Sequence, residues 1–339
     1  MKTLLISLLV VNSFVTYGHN NDTLRLNNGQ EIIGEIKILD GGVLTLDTDY
    51  DDQKFLIKWN QVQQVRSSSS FIIVLTNKLR VTGRIIADQF RPEYHMILEQ
   101  EGSKHFVRIK DIVYLKSTES RLIDRFSANI DGGYNITKAS NTKQFSLSGK
   151  FSYTYTKLYS DFYFNFIDNI TQDSIKSQRS NYGTNWKVFF LKSWYALGAV
   201  DFLESDEQNL DLRTTTQLGI GKFLLRNFKL YTSAAVGLAQ NSEEYFSIET
   251  PSQKTLEGFA EVELYIYGIK DLRIFSKIQY FPSFSQENRN RFNLSLDSKL
   301  DLPFDFYLGF YSTYNFDSSP NENAEKSDYV LQSTVGWKF

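Results

Sequence analysis

The chain has 339 residues, with 37 Lys plus Arg against 39 Asp plus Glu and a net charge of -2, so overall charge selects neither nucleic acid nor an acidic surface as a partner. It holds no cysteine, which excludes disulfide frameworks, thiolate metal sites, Cys nucleophiles and a lipid-modified amino-terminal Cys. Phe and Tyr together number 47 while Pro is only 5, a bias toward long uninterrupted strands.

The chain opens MKTLLISLLVVNSFVTYG, one Lys followed by an apolar run from Leu4 to about Val11 and then small residues. This reads as a secretory signal peptide over 1–18, too short for a spanning helix. No later run of 18 or more apolar residues predicts a transmembrane helix, which leaves export as a soluble protein or a span made of strands.

Residues 19–121 carry a doubled pattern with a period of about 50 residues. Gly34 of LRLNNGQEIIGEI falls on Gly83 of IVLTNKLRVTGRI, and Ile57-Lys58-Trp59-Asn60-Gln61-Val62 falls on Val107-Arg108-Ile109-Lys110-Asp111-Ile112. Short alternating strands with turns at Asn28-Gly29 and Gly41-Gly42 predict two copies of a small, curved antiparallel sheet of the SH3-like or Sm-like kind. The segment holds 14 basic and 14 acidic residues without a basic stripe, so no nucleic-acid partner is expected.

From residue 122 onward, twelve segments alternate apolar and polar residues: 126–136, 145–155, 158–167, 182–191, 194–202, 210–220, 228–238, 256–266, 272–281, 292–302, 304–314 and 329–339. Each is close to the 9–11 residues that a tilted strand needs to cross a bilayer. A soluble sandwich also alternates, but here short turns near Lys157, Lys192-Ser193, Ile269-Lys270-Asp271 and Leu302-Pro303 alternate with long polar loops. Aromatic residues also recur at strand ends. The prediction is an all-β fold in which a small β module precedes a transmembrane antiparallel barrel of twelve strands over 122–339.

The signal peptide, the paired elements Leu26–Ile36 and Ile57–Val65, and an alternating-strand region ending in Trp337-Lys338-Phe339 together resemble the salt-induced outer-membrane protein family, a domain of unknown function. The resemblance implies an outer-membrane location, with the repeated module as an amino-terminal extension seen in some members; an even strand count with short turns in the periplasm puts that module on the periplasmic side. Its motifs are diffuse and no catalytic signature defines the family. The final strand places Tyr329, Leu331, Val335, Trp337 and Phe339 on one face, and by the same kind of resemblance this looks like the signal read by the barrel assembly machinery. Outer-membrane lipid would cover that face.

No catalytic, cofactor-binding or metal-ligating constellation emerges. The three histidines, His19, His95 and His105, all precede the barrel, so His-dependent lipid or peptide hydrolysis on the barrel is not expected, and His95 and His105 read as surface residues. Gly219-Ile220-Gly221 and Gly41-Gly42 lack the Lys-Ser/Thr of a phosphate loop and read as packing or bending positions. The candidate site is the inward barrel face: Lys150, Asp161, Lys187, Asp211, Arg213, Lys229, Glu257, Glu261, Glu263, Arg273, Lys277, Arg291, Asp297 and Lys299. With the turn over Gly268–Leu272, Glu263 comes opposite Lys277 and Tyr267 opposite Arg273. These charges either line a channel for small solutes or form ion pairs that seal the barrel. A third function is a periplasmic protein partner held by the module through strand addition. A barrel enzyme is the remaining alternative.

Overall fold

The computed structural model describes residues 22–91, 93–99, 102–118, 125–137, 142–170, 176–191, 193–246, 251–269, 271–320 and 325–338. The proposed signal peptide and Phe339 lie outside them.

The module is a ten-stranded sheet built from two copies of one topology. The first copy contains β1 (Asp22–Leu26), β2 (Glu31–Asp40), β3 (Val43–Thr48), β4 (Asp51–Lys58) and β5 (Val62–Arg66). The second contains β6 (Ser70–Leu75), β7 (Arg80–Ala87), β8 (Tyr94–Glu99), β9 (Lys104–Arg108) and β10 (Ile112–Ser117). In each copy the first strand lies between the second and the fifth, and the third and fourth follow outward. One 3-10 turn precedes each fifth strand, Trp59–Gln61 and Ile109–Asp111, at the 50-residue period.

Gly34 and Gly83 occupy equivalent bends where β2 crosses β3 and β7 crosses β8. A Cβ at either would lie 2.3 Å from a backbone oxygen, of Asp47 or Leu98 respectively, so only glycine allows that close approach. The copies join where β10 pairs with β2, and share one apolar core that includes Leu24, Ile36, Val65, Phe71, Ile85 and Ile97. Trp59 Nε1 donates to Ile109 O at 3.2 Å, tying one 3-10 turn to the other. His95 corrects the surface reading: it is fully buried, and its Nε2 accepts from the Val65 N–H at 3.1 Å. It therefore acts as a polar rivet between copies, where burial lowers its pKa to about 4. His105 pairs with Glu99.

Twelve antiparallel strands close a barrel: β11 (Phe126–Thr137), β12 (Thr142–Tyr155), β13 (Leu158–Ile170), β14 (Lys176–Leu191), β15 (Trp194–Ser205), β16 (Leu210–Arg226), β17 (Leu230–Tyr245), β18 (Gln253–Ile269), β19 (Leu272–Pro282), β20 (Asn290–Asp301), β21 (Phe306–Asp317) and β22 (Ser327–Lys338). Closure comes from β11 pairing β22, with Asn129–Gly132 opposite Lys338–Val335. Every expected segment is a strand, but β14, β16, β17 and β18 reach 16 or 17 residues, so they extend beyond the span a bilayer requires.

Apolar side chains such as Phe145, Leu147, Phe151, Leu218 and Val236 point outward and exposed, while Ser146, Thr215 and Gln217 point in and are buried. An apolar exterior around a closed barrel is the arrangement that lets strands cross a bilayer, because neighbouring strands satisfy one another's backbone groups. In β22, Tyr329, Leu331, Val335 and Trp337 are exposed while Gln332 and Thr334 are buried.

Candidate functional site in the barrel lumen

The lumen contains a cavity of about 1790 Å³ lined by both the barrel and the module. Among the described residues, its lining carries 13 Lys or Arg and 9 Asp or Glu, so the chamber is cationic on balance. Lys150, Asp161, Lys187, Arg213, Glu261, Glu263, Arg273, Lys277, Arg291, Asp297 and Lys299 all line it. Glu257 lies just beyond, buried against Arg291.

Two of the predicted inward residues sit elsewhere. Asp211 falls where the β16–β17 register shifts between Leu210 and Leu212, and this bulge turns it outward. Lys229 is exposed on the β16–β17 turn, because β17 begins at Leu230 rather than at Phe228.

Mid-lumen charges pair both between neighbouring strands and across the barrel. Glu263 does stand opposite Lys277 in the β18–β19 ladder. Its ion pair, however, is with Lys187 of β14 at 2.6 Å, and Lys277 approaches Glu261 at 3.8 Å. A bulge between Ile266 and Ile269 removes the expected pairing of Tyr267 with Arg273, and Arg273 meets Asp301 at 2.8 Å instead. Lys150 pairs with Asp161, and Lys299 with Asp131, both at 3.4 Å.

On the side of the long loops, a denser network bounds the chamber. Arg289, in the β19–β20 connection and only 1% exposed, donates from Nη2 to both Glu243 oxygens at 2.8 and 2.9 Å and to Asp317 Oδ2 at 2.6 Å. Arg213 of β16 donates to Glu243 at 2.8 Å, and Arg291 to Glu257 at 3.0 and 2.6 Å. Gln208 donates to Asp328 at 2.9 Å, and Asp328 also pairs with Arg179. These partners come from β14, β16, β17, β18, β20, β21 and β22, so the network crosses the barrel from one wall to the other. Charges so far from bulk water persist only when mutually neutralised and hydrogen-bonded.

On the side of the short turns, the module covers the mouth. Phe228, at the tip of the β16–β17 turn, packs against both apolar clusters of the module. The β2–β3 turn meets it: a Cβ at Gly42 would lie 3.4 Å from Phe228 O, and one at Gly41 would lie 3.4 Å from Tyr267 Cβ. Both glycines have positive φ, the backbone state that this tight turn needs. Arg80 of β7 donates to Thr156 O at 2.9 Å and lies 4.4 Å above the Phe189 ring. Asp40 opens onto the chamber, where surrounding protein raises its pKa by desolvation against the opposing charges of Arg226, Arg273 and Lys116. Sequence alternation gives no sign of these contacts, since it encodes which face a residue takes and not what sits across from it.

Residues 121–339 match the family model described as protein of unknown function, DUF481. The chain belongs to that family. Its DUF481 region is the barrel, and the repeated module precedes it. No curated protein matches the chain. Similar solved structures include the translocator domain of the autotransporter NalP from Neisseria meningitidis, 11% identical over 63% of this chain and 87% of that one, with a TM-score of 0.36. The β domain of the Bordetella autotransporter BrkA is 7% identical over 63% and 97%, with a TM-score of 0.33. A NanC porin is 10% identical over 63% and 100%, with a TM-score of 0.37.

Proposed function

We propose that this DUF481 protein is an outer-membrane barrel of the salt-induced type that conducts small polar solutes and is held shut at rest, with the module as its periplasmic plug. The observation that carries the reading is the seating of Phe228 and the β2–β3 turn at the mouth of a wide, polar, cation-rich chamber. A barrel serving only as a scaffold has no need of a chamber of about 1790 Å³ with charged walls. The ion pairs around Arg289 supply the second closure, on the loop side. Conduction then requires the module to tilt away and the loop-side network to part. No step of this cycle calls for a catalytic group, and the reading assigns none.

Phe228→Asp tests it, because a carboxylate cannot remain in the module's apolar cores. In planar bilayers the unaltered protein should give rare, brief conductance steps, and Phe228→Asp more frequent ones, still brief because the loop-side network must also part. Equal silence from both, with folding verified by heat-modifiable gel mobility, would count against a channel.

A second reading has its own observation. Among the described residues the β9 edge is unpaired and carries Phe106, 69% exposed, in one cross-strand row with Met96 of β8 and the exposed Ile86 of β7. An apolar edge strand of this kind suits a periplasmic protein partner that adds a strand.

A further inference from the structure

We propose that the junction between module and barrel is a binding site for small solutes carrying an oxyanion group, with Arg80 and Arg226 as its paired guanidinium ligands. The proposal rests on the channel reading for the solute's route, but the site itself is defined by geometry. Phe189 of β14 and Phe223 of β16 stack with ring centroids 6.2 Å apart and planes 20° from parallel. Each ring carries one guanidinium: Arg80 lies 4.4 Å from the Phe189 centroid, and Arg226 lies 5.3 Å from that of Phe223. Two like charges are thus parked on adjacent rings, one from the plug and one from the barrel, and both line the chamber.

Neither arginine is neutralised in place. Among the described residues, no carboxylate lies within ion-pair distance of either, although Arg179, Arg213, Arg273, Arg289 and Arg291 in the same barrel each have one. Arg80 Nη2 and Arg226 Nε are buried and find no hydrogen-bond acceptor. A buried guanidinium N–H without an acceptor is costly, and two whose like charges act on each other more so. The cost is visible at Arg80, whose pKa burial and the like charge of Arg226 pull down to about 10. An oxyanion bridging the pair removes both penalties, and the planar guanidinium forks match a carboxylate or phosphate by paired N–H donation. Asp40 is the opposing charge, close enough for its field to act on Arg226 but not paired with it. Asp40 therefore competes with an anionic ligand. Because one arginine belongs to the plug and the other to the wall, a bound anion also ties the two parts together.

The test is calorimetric titration of inorganic phosphate into the full-length protein, folded in nonionic detergent, which reads binding without requiring conduction. Saturable binding is expected, weakened about tenfold or more by Arg80→Gln or by Arg226→Gln, and strengthened severalfold by Asp40→Asn. The last change keeps the proposal exposed to refutation if an arginine variant unseats the module. A neutral disaccharide should give no heat, and phosphatidylglycerol in the same micelles should not compete, since a lipid headgroup reaches the barrel from outside the lumen. Absent or unsaturable phosphate binding, indifference to all three substitutions, or displacement by phosphatidylglycerol would overturn the site. Phosphate binding with silent bilayers would leave the site standing and remove the channel.

Discussion

Replacing Arg289 by Met removes the centre of the loop-side network and leaves its partners in place. Glu243 is the less affected, because it keeps Arg213 at 2.8 Å, Asn241 at 2.9 Å and the Tyr245 hydroxyl at 2.7 Å. Asp317 loses the donors at 2.6, 3.1 and 3.2 Å and, among the described residues, retains only Arg213 at 3.9 Å and the Ser319 N–H at 3.1 Å. Breaking a buried pair from one side costs about 3–5 kcal/mol. The partial rescue of Glu243 puts this case near the lower end, about 3 kcal/mol. Neutralising the stranded partner as well, in Arg289→Met with Asp317→Asn, should return more than half of that loss, because the residual cost is an unpaired charge and not lost packing. The assay is urea unfolding in lipid vesicles, followed by heat-modifiable gel mobility for the two single variants and the double variant. A loss below about 1 kcal/mol for Arg289→Met, or additivity in the double variant, would refute the reasoning that these charges are held only by one another.

Two further predictions concern the module. Gly34→Ala and Gly83→Ala should destabilise it by similar amounts, about 1–3 kcal/mol each, since both press a methyl group onto a backbone oxygen. Limited proteolysis of residues 22–118 reads the effect, and a large difference between the two would contradict the equivalence of the repeats. His95, with a folded-state pKa of about 4 against 6.5 for the free side chain, makes the module less stable as pH falls from about 6.5 to about 4, because only the unfolded chain takes up the proton in that window. Above 6.5 both states are neutral and the effect vanishes, while below 4 it levels off at about 3 kcal/mol. His95→Gln should flatten the profile, and a profile unchanged by that substitution would remove His95 as its source.

Much of this architecture is legible in the sequence, for a simple physical reason. A strand writes its two faces into alternate positions, so all twelve barrel strands are found where Phe, Leu and Tyr alternate with Ser, Thr and charged residues. Gly34 and Gly83 are legible as a pair because the same backbone crossing demands glycine in each copy. The site is less legible. Lys187 and Glu263 lie 76 residues apart, and nothing local records that β14 faces β18 across the lumen. Asp211 follows the inward alternation of its segment, and only the bulge at Leu210–Leu212 turns it away. Arg289 lies in a polar loop where its charge looks ordinary, although it folds back to become one of the most buried side chains. Phe228 looks like one more aromatic residue at a strand end, and only the position of the module gives it a different partner.

The plug is the central claim, and the same contact that suggests it provides a lock. A Cβ at Gly41 would lie 3.4 Å from Tyr267 Cβ, close to the separation found in disulfides, and the chain has no cysteine of its own to interfere. In single-channel recordings of Gly41→Cys with Tyr267→Cys, the account predicts no openings while the disulfide is intact and openings that return on reduction. Currents of equal size and frequency in the oxidised and reduced protein would contradict it.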